Sequence, residues 1–421
     1  MSAPQAPGTA QSPGGGCPVV HGAPIDGGGP RIAIYTQQFA DDPHHMYADM
    51  RERFGSLAPV ELAPGVPATL VVGYRTALRI LNDPSHFPAD PRIWQRDVPA
   101  DSPVLPMMEW RPNALRSADF EHLRYRSANL FAIGAVDRHA MHTVVEQITI
   151  PLVNSFCGDG KADLLQQYVY PVVFQTLNAM LGCDPDIGEQ VAAGMAAMFD
   201  TVNAEAGSRM LEAGLKEHTR RKRAEPGDDI TSRLIAHSSD LSDEEMIHQL
   251  VTLYGAGIEP QVHLVSNALL LMLTDTRFAA DVLDGSLSTR DAVDEVLFAN
   301  PPLANYCITY PRQPMLIDDV WLPAHQPVLI SMAACNNDPA VRSSDVSGNR
   351  SHLSWSIGPH TCPARELGYQ IAQDVIDQLL DALPEVRLAV AAEELSWRPG
   401  PFHRALSSLP VTFPPTPPLR M

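Results

Sequence analysis

The sequence predicts a mainly α-helical protein, a large helical domain carrying a small β-rich lobe. Three observations point there. Ser242-Asp-Glu-Glu245 is a capping box, and apolar residues recur from it to about Leu273. That is one helix over residues 243–273, about 45 Å long. Residues 140–240 read as several helices broken at Gly158-Asp-Gly160, Asp184-Pro185 and Glu225-Pro-Gly227. Strand-like runs are few and short: Thr69–Val72, Tyr306–Tyr310, Trp321–Pro323 and Pro327–Met332.

Residues 1–30 are rich in Gly, Pro and Ala and are expected to be a disordered tail. Asp42-Pro-His-His-Met-Tyr47 leads into a helix over Ala48–Phe54, stopped by Gly55. Arg75–Leu81 reads as a second helix, closed by Asn82-Asp-Pro84. Residues 85–115 have no clear period and many prolines, the mark of a functional or disordered loop. Asp119-Phe-Glu-His-Leu-Arg-Tyr-Arg126 returns to helix and sets His122 and Arg126 four apart, on one face. Arg220-Arg-Lys-Arg223 reads as a solvated helix end. Ser288–Ala299 is a short helix before Pro301-Pro302. With 421 residues the length prior allows two or three domains, but residues 31–421 read as one.

Composition excludes whole classes of function. Lys+Arg 30 against Asp+Glu 49 leaves a net charge of −19, which argues against a nucleic-acid polymer as partner. A local basic patch for an acidic protein is still compatible with that charge. Six cysteines without C-x-x-C spacing predict a reducing compartment, with neither a disulfide framework nor a structural zinc site. No apolar run is long enough to span a bilayer, and the N-terminus lacks the pattern of a signal peptide. A cytoplasmic protein with no membrane partner is expected.

The chemistry concentrates in residues 350–368, where Cys362 ends a turn-rich run and an apolar helix follows. A thiolate at a helix N-terminus has a lowered pKa and is a soft ligand for iron. In the long helix, Gly255-Ala-Gly-Ile-Glu-Pro-Gln261 breaks the apolar pattern. Pro260 has no N–H and clashes with the Ala256 carbonyl, so a kink or opening is expected there. Gly255 and Gly257 let a flat group approach the backbone.

Together these stretches resemble the cytochromes P450. The 350–368 run is similar to the family's haem loop, Phe-Gly-x-Gly-x-His-x-Cys-x-Gly. Gly358, His360 and Cys362 match, while Trp355 stands for Phe, Ser356 for the first Gly and Ala364 for the last. The resemblance implies a P450 fold, one b-type haem (iron protoporphyrin IX), and Cys362 as the metal ligand. It implies that His122, Arg126, His352, Trp355, Gly358 and His360 bind the cofactor, and that residues 85–115 cover the substrate. Ala256, Gly257 and Glu259 match the oxygen-binding groove Ala-Gly-x-(Asp/Glu)-Thr, but Pro260 replaces the Thr and Gln261 follows. Glu259 and Gln261 are therefore the candidate catalytic residues for proton delivery.

A second departure is Glu295-Val-Leu-Phe298, where the family carries Glu-x-x-Arg. Glu295 must find another partner, and Arg342 or Arg350 is expected to supply it. The strand arginine that holds a propionate in the family is Thr309 by spacing, with Arg312 nearby. Both main departures match an actinobacterial subgroup of soluble P450s. The function implied is oxidative tailoring of a small soluble secondary metabolite with dioxygen, electrons coming from a ferredoxin and its reductase. Hydroxylation and oxidative aryl coupling, for example of an aromatic cyclodipeptide, both stay open. The alternative is a haem-binding protein without turnover: a sensor, sink or carrier.

Overall fold

The computed structural model describes residues 30–199, 204–278, 287–342 and 349–420. The expected tail over residues 1–30 lies outside these except for Pro30, as does Cys17. The helix Asp243–Thr274 runs through the main apolar core. Its Leu250, Tyr254, Ile258, Val262, Val265 and Leu269 are buried with Ala372, Val375, Ile376 and Leu379 of the helix Arg365–Ala382. The expected capping box is present, with Ser242 and Glu245 bonding each other's backbone N–H. The helix does not open at Pro260: helical backbone continues on both sides of it. The lost N–H leaves one carbonyl short, but packing along the rest of the helix holds the ladder together.

The β lobe is a five-stranded sheet in the order Ile32–Ala33, Leu57–Ala63, Val66–Val71, Val328–Ile330, Cys307–Thr309. Leu57–Ala63 and Val66–Val71 form an antiparallel hairpin, with Gly65 at φ 77° in its turn. Val66–Val71 then pairs in parallel with Val328–Ile330, which joins chain ends far apart in sequence. Leu57–Ala63 escapes the sequence pattern because it holds Pro59 and is buried at six of seven positions, so nothing alternates. The helix expected over Ala48–Phe54 starts earlier, at Pro43, because the Asp42 side chain accepts the His45 N–H, and an unexpected short helix, Gln37–Asp41, precedes it. Met332, read as the end of a strand, opens the short helix Met332–Asn336 under a Ser331 cap.

Residues 85–115 are not a simple surface loop. They contain the short helix Leu105–Met108 and bury Phe87, Trp94, Val104 and Met108. This stretch leads into the helix Asp119–Gly134, which carries His122 and Arg126. Among the described residues no helix is long and apolar enough to cross a membrane, and Cys157, Cys183, Cys307, Cys335 and Cys362 are all free thiols.

Candidate haem site

The loop ahead of the helix Arg365–Ala382 coils tightly because two of its residues have left-handed backbone: Ser356 at φ 55° and Gly358 at φ 70°. A side chain at Gly358 would run into the Leu81 carbonyl oxygen. Ser356 tolerates a conformation that favours glycine, at a cost of about 1 kcal/mol. The coil turns the chain back so that the Cys362 N–H donates to the Trp355 carbonyl at 2.8 Å. Cys362 precedes the helix's N-cap, Ala364, by two residues. That distance weakens the helix dipole, which acts within the first turn. Burial pushes the Cys362 thiol up, against the Ala364 N–H, Arg126 and Arg365, which pull it down. The low thiol pKa expected from the sequence is thus not a property of the polypeptide alone.

His122 and Arg126 come to the same loop from the facing helix. The Arg126 guanidinium donates to the Thr361 carbonyl, and the His122 ring stacks on His360 with centroids 4.1 Å apart. Burial, with Arg126 adding to it, lowers the His122 pKa. Burial takes His360 down to about 3, helped by His122 and Arg126, so this ring is neutral. His122 Nε2 is buried with no hydrogen-bond partner, and so is Trp355 Nε1. His352 is placed differently. Its Nε2 faces the Tyr369 hydroxyl at 3.3 Å and its Nδ1 accepts the Ser354 N–H at 3.3 Å. Both nitrogens are used within the protein, and burial holds the ring's pKa at about 4.

On the long helix, Gly255 and Ala256 are exposed although they lie mid-helix, and a Cβ at Gly255 would meet nothing within 4 Å. Gly257 is closed on its other side by Leu177. Glu259 does not stand free. It accepts from His263 Nε2 at 2.9 Å and lies 3.4 Å from Arg398 Nη1. Gln261 points toward the cysteine helix, donating to the Gly368 carbonyl at 3.0 Å. His263 and Arg398, which flank Glu259 together with His403, carry no motif and were not legible in the sequence.

The replacement for the missing ion pair is also visible, and the expected partners of Glu295 are corrected. Glu295 is paired with Arg277 at 2.7 Å, not with Arg342 or Arg350. Arg342 bonds Asn337, and Arg350 takes Asp294 at 2.9 Å. Asp294 is the more buried acid, with 7% side-chain exposure against 25% for Glu295, and Arg290 lies 3.7 Å from its other oxygen. Phe298 is buried edge-on against His352. Thr309 turns into the sheet and bonds Val328, while Arg312 pairs at the surface with Asp119.

No family model matches the chain. Cytochrome P450 monooxygenase PikC of Streptomyces venezuelae is 28% identical over 406 residues, covering 91% of this chain and 94% of that protein. Cytochrome P450 107B1 of Saccharopolyspora erythraea is 26% identical over 399 residues, covering 91% and 98%. Among solved structures, CYP154A1 from Streptomyces coelicolor superposes with a TM-score of 0.78 at 25% identity, covering 91% of this chain and all of that one.

The residues fit the haem of these relatives. A flat macrocycle needs a bare stretch of backbone on one side and a soft ligand on the other, and it brings two carboxylates to be paired. Gly255-Ala256, the Cys362 thiol, and the unpartnered His122 Nε2 beside Arg126 offer these. Among the described residues no group of three His, Cys, Asp or Glu could hold a metal ion. Fold, relatives and this fit agree, and the chain is a haem-dependent oxidoreductase of the bacterial cytochrome P450 family.

Proposed function

We propose that the protein is a tailoring monooxygenase that hydroxylates a small secondary metabolite, with Cys362 as the thiolate that would hold the haem iron and electrons supplied by a ferredoxin and its reductase. Bound haem supplies the activation of dioxygen. The polypeptide holds the macrocycle through Cys362, His122 and Arg126, and keeps a charged acid, Glu259, on the long helix. Relatives named for hydroxylation support the reading, among them a vitamin D(3) 25-hydroxylase of Pseudonocardia autotrophica, 26% identical over 400 residues. The observation that carries it is the meeting of Cys362, His122, Arg126 and His360 in one loop-on-helix arrangement.

One feature favours a second reading, oxidative aryl coupling. From Gly255 to Gln261 the long helix carries no hydroxyl, so a substrate with its own N–H or O–H groups would share the proton work. Aromatic cyclodipeptides have such groups. Turnover under labelled dioxygen separates the two. Hydroxylation adds one labelled oxygen to the product; coupling joins two molecules with loss of two hydrogens and no label. Binding without turnover predicts neither product and only bleaching of the haem by peroxide. Cys362→Ala should abolish the red-shifted carbon-monoxide band of the reduced protein; retention of that band would remove Cys362 from the ligand role.

A further inference from the structure

Arg116 is the most buried arginine or lysine among the described residues, with 9% exposure. It lies at the end of the irregular stretch before the helix that carries His122 and Arg126. Its Nη2 donates to the Tyr306 hydroxyl at 2.5 Å, and its guanidinium carbon sits 5.5 Å from the Tyr306 ring centroid. The Tyr306 hydroxyl is itself committed, donating to the Met107 carbonyl at 3.0 Å. Among the described residues no carboxylate lies within ion-pair reach of Arg116, and its Nε and Nη1 make no hydrogen bond. These two nitrogens keep some solvent exposure.

A buried cation without a counter-ion is costly, and this chain has acids to spare at −19. Acids close to it in sequence are committed elsewhere, Asp119 to Arg312 at 2.5 Å. Asp90 and Glu121 are clamped by Arg92 at 2.6 and 2.8 Å, and Glu109 by Arg111 at 2.6 Å. The position also borders the haem site. Tyr306 and its neighbour Cys307 pack, with Ile357 of the cysteine loop, against the core cluster that holds Leu353 of the same loop. A guanidinium presents a rigid fork that matches a carboxylate, and tyrosine holds the fork in place here.

We propose that Arg116 is a carboxylate-recognition residue of the Cys362 site, its guanidinium held by Tyr306 to receive an acid group that arrives with a ligand. Two ligands bring such a group: the haem, through a propionate, or the substrate, through a carboxylate of its own. The fork would bind either in the same way.

The test uses the haem-loaded protein and Arg116→Gln in two arms. The first follows haem transfer to excess apomyoglobin, with native haem and with haem dimethyl ester. If a propionate is the guest, Arg116→Gln speeds loss of native haem at least about tenfold, the size of one charged hydrogen bond. Loss of the ester is then the same in both proteins. The second arm measures calorimetric binding of 1-naphthoate against 1-naphthalenemethanol. If the substrate brings the acid, the native protein prefers the naphthoate about tenfold and Arg116→Gln erases that preference. Should Arg116→Gln fail to load haem, Arg116→Lys carries both arms, because it keeps the charge and removes the fork. No change in either arm overturns the proposal and leaves Arg116 a packing residue on Tyr306.

Discussion

Glu259 is a carboxylate whose pKa burial alone would raise. The hydrogen bond from His263 and the charges of His263, Arg398 and His403 outweigh burial and bring its pKa to about 2, from an ordinary 4.5. The sign follows from linkage. A carboxyl whose pKa falls on folding stabilises the fold above the unfolded value, and that contribution disappears as pH drops through the folded value. Glu259→Gln should therefore destabilise the protein at neutral pH by about 1–3 kcal/mol. The gap to the native protein should close as pH falls from 4.5 toward 2, measured by urea unfolding across that window. A constant gap would mean that the charge is not what matters. The same variant bears on catalysis. If Glu259 passes protons, dioxygen-driven turnover should fall well beyond any loss in substrate binding, and peroxide-driven turnover should fall less. Equal losses would assign Glu259 to structure alone.

The helix Thr289–Ala299 shows an ion pair displaced by one position. On a helix one residue is about 100°, so Asp294 and Glu295 look in different directions. Asp294 turns inward to Arg350 and Arg290; Glu295 turns outward to Arg277. Exposed pairs contribute little, so Glu295→Gln should change stability by less than about 1 kcal/mol. Asp294→Asn strips a buried acid from two arginines; with Arg350 largely exposed, the expected loss is about 1–3 kcal/mol. Phe298→Arg would restore the family motif on paper. It should lower stability by about 3 kcal/mol, because the position is buried against His352 and Glu295 does not face it. Thermal unfolding of the haem-loaded variants gives the ranking, and a stabilising Phe298→Arg would contradict it.

Across the fold, late residues return to early ones. The Thr416 N–H donates to the Cys157 carbonyl at 3.0 Å, and Leu419 exchanges two bonds with Asn154, at 2.7 and 3.1 Å. A chain ending at Phe413 loses all three and should be less stable by about 2–3 kcal/mol, read as a lower urea midpoint at unchanged slope. Such closures explain what the sequence could and could not convey. The long helix, its cap and the cysteine loop were legible because each is written in local residues: Ser242 with Glu245, Gly358 with Cys362. Spacing put His122 and Arg126 on one helix face, but only the family resemblance turned that face toward the cysteine loop. The Glu259–His263–Arg398 cluster was legible only at Glu259, since Arg398 arrives from 139 residues away. Arg277 reaches Glu295 across 18 residues with no pattern to announce it. The strand Leu57–Ala63 was hidden by its own burial, which erases alternation.

The bond from the Cys362 N–H to the Trp355 carbonyl has an optical consequence. It ties the backbone of Trp355, whose indole lies tilted against Tyr369 at 5.4 Å, to that of Cys362. A porphyrin seated there would accept the excitation energy of that indole almost completely. Trp355 emission should then be dark in the loaded protein and brighten as the haem leaves. With Trp355→Phe as the blank, that signal makes residue 355 a built-in lamp for cofactor occupancy. It can be followed in real time during the same haem-transfer experiment that interrogates Arg116.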